Sequence, residues 1–264
     1  MGEAETVPPS ARVTLARIRP TDRIERGRET GTMSAGYEGG IGSLKAELAA
    51  TVILLRDGEA GLETLMLRRN SKIAFGGMSV FPGGRLDPAD WEGLSPEDEL
   101  AAARRAAVRE AFEECGLRVD CDSVVPFSHW TPPLVNMRRF ITWFFVARAG
   151  EGEVVIDDGE IHESTWMRPV EALRRRDEGV IELAPPTFVT LSELATFPDV
   201  DSVLAAIEGR TPERFQTVMA TGDDGMVVLW HGDAGYETAD ARAAGARHRL
   251  EVRKSGPWRY ERND

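Results

Sequence analysis

Lysine is almost missing from this 264-residue chain. Only Lys45, Lys72 and Lys254 occur among 32 basic residues, so nearly every positive charge is an arginine. With so many alanines, that usage points to a GC-rich bacterial genome. Cysteine is scarcer still: Cys115 and Cys121 offer neither a metal-binding spacing nor a disulfide framework. A reducing cytoplasm is the expected location. No apolar run approaches the length of a membrane span. The N-terminus has no apolar signal-peptide core, and the chain ends Arg262-Asn263-Asp264 without a Ser-Lys-Leu address. Positive charge is in deficit overall. The net charge of −12 sets the global field against nucleic acid and anionic membranes, so neither is an expected partner. No internal repeat is visible. What remains is one large domain, or one domain with an appendage, and a hydrophobic fraction of 42% that suffices for a sizeable core.

Against this background one stretch stands out: Arg109-Glu110-Ala111-Phe112-Glu113-Glu114-Cys115-Gly116-Leu117. Good helix formers precede it, and Gly116 sits where a helix would stop. Residues three and four apart share a helix face, so Glu110, Glu113 and Glu114 project together. Like charges at that spacing oppose each other by roughly 0.2–0.5 kcal/mol per pair. They also lie in the last turns, where the helix dipole prefers cations. Arg109 reaches Glu113 at i+4, but one guanidinium does not neutralise three carboxylates. Two readings follow: a solvated acidic face with one ion pair, or a site for a hard divalent cation, since Mg²⁺ takes carboxylates together with substrate phosphate oxygens.

The stretch resembles the second half of the Nudix box, Arg-Glu-apolar-any-Glu-Glu-any-Gly-apolar, with every fixed slot filled. The first half departs from the pattern. The slot for an earlier Glu falls on Ala101, and the slot for a Gly falls on Ser95. The glycine equivalent is Gly84 of Phe81-Pro82-Gly83-Gly84, displaced by an insertion over residues 85–94. Such an insertion is a feature of the branch resembling peroxisomal coenzyme A diphosphatases. Arg68, Gly77 and the Phe-Pro-Gly-Gly run also fit that branch's signature. Arg69 stands where it has a small residue, and Ile73 where it has an Arg.

Taken in order, residues 1–44 are rich in Pro, Gly, Thr and charge and read as a flexible arm, with one alternating segment at 13–18. Residues 49–55 read as a buried strand, Asp57-Gly58 as a turn, and 62–67 as its return. Gly83 and Gly84 let backbone N–H groups approach a phosphate or the carboxylate helix. Ser95-Pro96-Glu97-Asp98 reads as that helix's start, with Ser95 as N-cap. Arg104 and Arg105 are expected in solvent. Residues 124–130 and 138–147 read as strands. Trp130, at a strand end, is placed either in the core or against a base. His162 reads as an exposed strand residue. Short helices are expected over 169–176 and 199–208, Leu183 to Phe188 is expected to open another to about Ala195, and alternation over 214–264 reads as a small β appendage. The basic cluster Arg247, Arg249, Arg253 and Lys254 reads as a solvated edge or as a group reaching the active site, with the edge favoured, and sequence does not decide between them.

The resemblance implies an α/β (α+β) Nudix fold, a mixed sheet between helices, over 45–209, followed by an appendage over 210–264. It implies Mg²⁺- or Mn²⁺-dependent hydrolysis of a nucleoside diphosphate linked to another group, coenzyme A or acyl-coenzyme A being the lead and ADP-ribose or a dinucleotide the competitor. Glu110, Glu113 and Glu114 would hold metal and Arg109 would orient a carboxylate. A further metal-binding or base Glu six residues before Trp166 is Glu160, with Glu163 as rival. Arg68, Gly83, Gly84, Arg138 and Arg139 are the expected substrate-binding residues, because guanidinium grips phosphate bidentately. The expected partners are a small nucleotide and, in a homodimer, a second copy of the chain. A nucleotide sensor that kept the fold without turnover is the reading from another class.

Overall fold

The computed structural model describes residues 46–69, 77–134, 139–150, 152–156, 161–253 and 256–263. The expected arm over 1–44, Arg138, Glu160 and Lys254 lie outside the described residues.

The chain is organised around β1 (Glu47–Gly58), the strand read from the apolar run at 49–55. It pairs antiparallel with β2 (Gly61–Arg69) through its C-terminal end and with β4 (Gly83–Arg85) through its N-terminal end. Between these comes the short β3 (Ser79–Val80). Along nearly its whole length β1 runs parallel to β6 (Phe140–Arg148), which pairs antiparallel with β5 (Val125–Thr131). A further strand, β7 (Ile161–Met167), lies on β2. The result is a mixed sheet of order β3-β2-β1-β6-β5-β8, where β8 is Glu213–Gln216.

The run at 49–55 is apolar throughout because both faces of β1 are covered, and period-two geometry divides it. Ala50, Val52 and Leu54 face one buried cluster with α1 (Glu99–Cys115). Ile53 and Leu55 face another. That second layer is supplied by α3 (Pro185–Leu194) and α4 (Val200–Ile207), which follow α2 (Pro169–Asp177). On α1, Ala103, Ala106, Ala107 and Ala111 are fully buried. Their small side chains let the helix lie close on the sheet, and that closeness brings its last turns up to the Gly83-Gly84 strand.

Helix α1 begins one turn later than Ser95 predicts. Asp98 is its N-cap, with a backbone (φ −84°, ψ 36°) outside helical geometry. The reciprocal contact expected of a cap does form, from the Ser95 N–H and hydroxyl to Asp98 Oδ2, both at 2.9 Å. It closes a turn that precedes the helix. At the other end Gly116 adopts φ 71°, and its N–H returns to the Phe112 carbonyl, as the sequence predicts.

The expected boundary at residue 209 falls between α4 and β8. Strand β8 pairs parallel with β5, at the edge of the main sheet. The strands β9 (Val218–Gly222), β10 (Gly225–Leu229), β11 (Arg247–Arg253) and β12 (Arg259–Asn263) form a separate antiparallel sheet of order β12-β11-β10-β9. Trp230, Val228 and Leu250 of this region belong to the same buried cluster as Ile53 and Val146. Trp130 lies in that core, stacked on Phe215 at 3.8 Å with Trp230 edge-on at 5.7 Å, and is not presented to a base.

Candidate active site

The last two turns of α1 face β4 and the loop that follows it. Arg109 is the centre of the arrangement. Its Nη1 donates to Glu110 at 2.8 Å and to Glu113 at 2.9 Å. Its Nη2 donates to the Arg85 carbonyl at 2.9 Å and to Asp90 Oδ2 at 3.0 Å, and Nε to Asp90 Oδ1 at 3.3 Å. Glu114 turns the other way and is nearly buried, its Oε2 accepting the Gly83 N–H at 2.9 Å. The three glutamates therefore differ in setting. The Glu113 side chain is 56% exposed, that of Glu110 only 14%. Burial pushes the Glu110 carboxyl above the usual range. Arg109 opposes that shift, while Glu113 and Asp87 add to it.

The two glycines are there for room. A Cβ on Gly84 would run into the Glu110 carboxylate, and one on Gly83 into the Ala50 carbonyl and the Thr51 hydroxyl. Of the two roles open to these residues, approach to the carboxylate helix is visible directly in the Gly83–Glu114 bond.

Among the described residues no three His, Cys, Asp or Glu side chains converge on a single metal position. The donor set nevertheless fits a hard divalent cation. All its atoms are carboxylate oxygens, they carry more negative charge than Arg109 offsets, and Mg²⁺ commonly takes one or two carboxylates with water and substrate phosphates. Glu110, Glu113 and Glu114 are the residues that would hold it.

The other expected residues are spread along neighbouring strands. Arg68 lies opposite Glu163 on β2 and β7, their side chains 3.8 Å apart and both exposed. Arg139 precedes β6, its Nη2 on the Pro132 carbonyl at 3.1 Å and its buried Nε without a partner among the described residues. His162 is exposed, as expected. Of the arginines placed in solvent, Arg105 is exposed as expected and also ties the insertion down, donating to the Glu92 carbonyl at 2.6 Å, whereas Arg104 is half-buried. The basic cluster read as a solvated edge is different at Arg249, which is buried against Asp233.

One residue of the site was not anticipated. Asp90, 5% exposed, sits in the 3-10 turn Pro88–Trp91 within the insertion and grips Arg109 with both oxygens. The local signal for the turn is legible: Asp87-Pro88-Ala89-Asp90 has the cap, N1 proline and N3 acid of a helix start, and the Asp87 N–H donates to Asp90 at 2.8 Å. Its meeting with a residue 19 positions away is not.

A cleft of about 750 Å³ lies elsewhere, lined by His129, Glu213, Arg214, His231, Tyr236 and His248 among others. Its His129 Nε2 is 3.7 Å from the carboxylate of Glu99, at the start of α1. Glu99 is about 16 Å along the helix from Glu110. Clustered carboxylates are what a hard divalent cation needs, which makes the end of α1 the candidate site.

The NUDIX domain family model matches residues 45–186, which include the whole carboxylate helix. A curated relative, the acyl-coenzyme A diphosphatase NUDT19 of Xenopus laevis, is 32% identical over 118 residues, 42% of this chain and 31% of the relative. That of Gallus gallus is 28% identical over 205 residues, 68% of this chain and 53% of the relative. The chain thus spans about half, or less, of the length of these relatives. Among solved structures, a NUDIX hydrolase from Alicyclobacillus acidocaldarius matches with a TM-score of 0.54 at 22% identity, over 64% of this chain and 97% of the other, a likeness of fold. With the family model covering more than half of its length, the chain belongs to the NUDIX domain family.

Proposed function

We propose that this chain is a Mg²⁺-dependent diphosphatase, with Mn²⁺ as substitute, that hydrolyses the diphosphate of a nucleotide of the coenzyme A or acyl-coenzyme A type. The observation that carries the reading is the end of α1, where Arg109 holds Glu110 and Glu113 while the Gly83 N–H holds Glu114. A diphosphate resists attack because its charge repels nucleophiles. Divalent cations, when bound, supply compensating charge and a more acidic water. The chain's part is to hold them with Glu110, Glu113 and Glu114, and to fix two of those carboxylates through Arg109. Glu160 is the proposed further ligand or base, with Glu163 as its rival. Arg68, Arg138 and Arg139 are the proposed grips on substrate phosphate. Among the described residues, the buried Nε of Arg139 has no acceptor.

Support for the coenzyme A class comes from the acyl-coenzyme A diphosphatases to which the chain is similar and from the Phe81-Pro82-Gly83-Gly84 run with its insertion. Ile73 and Arg69, where that signature has Arg and a small residue, favour a second substrate reading, ADP-ribose or a dinucleotide. A sensor without turnover is the weaker reading, since its mark would be lost carboxylates and all three are present. The proposed setting is a reducing cytoplasm, in keeping with two free cysteines; burial pushes the Cys115 thiol up to about 11 and makes it unreactive. A homodimer is the proposed assembly. The deciding experiment is a Mg²⁺-dependent hydrolysis screen over coenzyme A, acyl-coenzyme A, ADP-ribose, NADH and diadenosine polyphosphates. Preferred cleavage of the coenzyme A substrates is expected. Cleavage of ADP-ribose or dinucleotides alone would move the assignment to the second reading, and no cleavage of any would overturn it.

A further inference from the structure

We infer that Asp90, in the insertion after Gly84, is a positioning residue for the metal-holding carboxylates and acts on them through Arg109. The inference rests on the metal-site reading above and adds a residue that lies outside the carboxylate helix. The guanidinium of Arg109 has two working sides. Nη1 serves Glu110 and Glu113, whereas Nε and Nη2 face Asp90 and the Arg85 carbonyl. A planar guanidinium gripped by a carboxylate on one edge has its other edge fixed in direction. Asp90 therefore decides where Nη1 points, and with it where Glu110 and Glu113 are held.

Asp90 is itself held. It is 5% exposed, its Oδ2 also accepts the Asp87 N–H at 2.8 Å, and Arg105 secures the end of the turn through the Glu92 carbonyl. Its oxygens face the edge of the guanidinium opposite the one that serves Glu110 and Glu113, so its part is to orient Arg109. Charge adds a second effect. With Asp90 present, Arg109 is hydrogen-bonded to three carboxylates and ion-paired with a fourth, Asp87 at 3.8 Å, so its hold on Glu110 and Glu113 is partial and yields to a divalent cation. Without the Asp90 charge, more of the guanidinium's attraction falls on those two glutamates and competes with metal.

The test is Asp90→Asn, which keeps the shape and removes the charge, against Glu92→Gln, the same charge change in the same insertion on an exposed side chain. Mn²⁺ affinity is read without substrate from the free-ion electron paramagnetic resonance signal. Partners that orient metal ligands change metal affinity by roughly 10–100-fold, so D90N is expected to bind Mn²⁺ at least about ten-fold more weakly, with E92Q unchanged. In turnover, D90N should lower kcat and raise the Mg²⁺ requirement with substrate KM little altered. Parent-like Mn²⁺ binding by folded D90N, or equal losses in D90N and E92Q, would overturn the inference. Should D90N not fold, Asp90→Glu decides: it keeps the charge and should bind Mn²⁺ within about three-fold of the parent, whereas a ten-fold loss would show that the shape of the insertion, not its grip on Arg109, sets the site. Because Mn²⁺ binding is measured apart from hydrolysis, a wrong substrate assignment leaves this result interpretable.

Discussion

Two arginine–carboxylate clusters in this molecule are built from the same chemistry and do opposite things. In the C-terminal sheet, Arg249 and Asp233 form a closed pair. Nε and Nη2 meet the two carboxylate oxygens at 2.7 and 2.6 Å, and the N–H groups of Gly235 and His248 take the remaining lone pairs at 2.8 and 2.9 Å. Burial works against the Asp233 charge, but Arg249 and those N–H groups outweigh it and hold its carboxyl below the usual range. At the end of α1, one arginine serves Asp90, Glu110 and Glu113, and burial leaves the Glu110 carboxyl raised. The first cluster is balanced and structural. The second keeps an excess of negative charge, which a fold does not need and a cation-dependent reaction does.

The largest effects should come from removing that excess. Glu113→Gln and Glu114→Gln are each expected to lower kcat by on the order of 10²-fold or more, because each removes charge that holds the metal. Their melting temperatures without metal should hold or rise, as repulsion is relieved. Near-normal turnover in both would erase the distinction between the clusters. Conversely, Asp233→Asn leaves Arg249 buried and unpaired. Unfolding in urea should show a loss on the order of 3–5 kcal/mol, with the Mn²⁺ affinity of the folded protein unchanged. A loss under about 1 kcal/mol would mean the pair is not structural in the sense argued.

Acid and base limbs of stability sharpen the contrast. Asp233 has a depressed folded pKa, so its stabilisation is present above its unfolded value of about 3.9 and is lost as pH falls through the folded one. Glu110 has a raised folded pKa. Relative to an unfolded value of about 4.3, its contribution is fully present below that pH and is lost as pH rises through the folded value. Urea midpoints against pH, without metal, should therefore flatten on the acid side in D233N and above about pH 4.3 in Glu110→Gln. Flattening on the same side in both would contradict the comparison.

These clusters were not equally legible in the sequence. Arg109, Glu110, Glu113 and Glu114 lie within six residues, so helix spacing brings them together before any tertiary structure is known. The apolar run at 49–55 likewise announced β1, because both faces of that strand are covered. Asp90 and Asp233 depend on long-range packing. Asp90 reaches Arg109 only because the alanine face of α1 lets the helix sit close to β4, and Arg249, which pattern alone placed at a solvated edge, is buried by strand pairing. The pairing of β8 with β5, and the stack of Trp130, Phe215 and Trp230, join segments some 85–100 positions apart, beyond any local period. Helix α1 starts at Glu99 and not after Ser95 because the Ser95–Asp98 contact closes its own turn first.

A smaller effect concerns the substrate side. Arg139→Ala should chiefly raise KM for the substrate that the hydrolysis screen establishes, as expected for lost uniform binding. An unchanged KM would remove Arg139 from the site. The least consequence is expected for the Arg68–Glu163 pair, exposed on both sides at 3.8 Å. Glu163→Ala should shift stability by less than about 1 kcal/mol by urea unfolding. A larger loss would show that this edge is structural.

The most direct test of the account is where water enters. Glutamates clustered on one helix would suit the holding of divalent cations better than an acid–base pair facing across a glycosidic bond. Hydrolysis of the established substrate in ¹⁸O-water with Mg²⁺ should therefore place the label on a phosphate product. Label on a sugar hydroxyl, or full activity in excess EDTA, would contradict it.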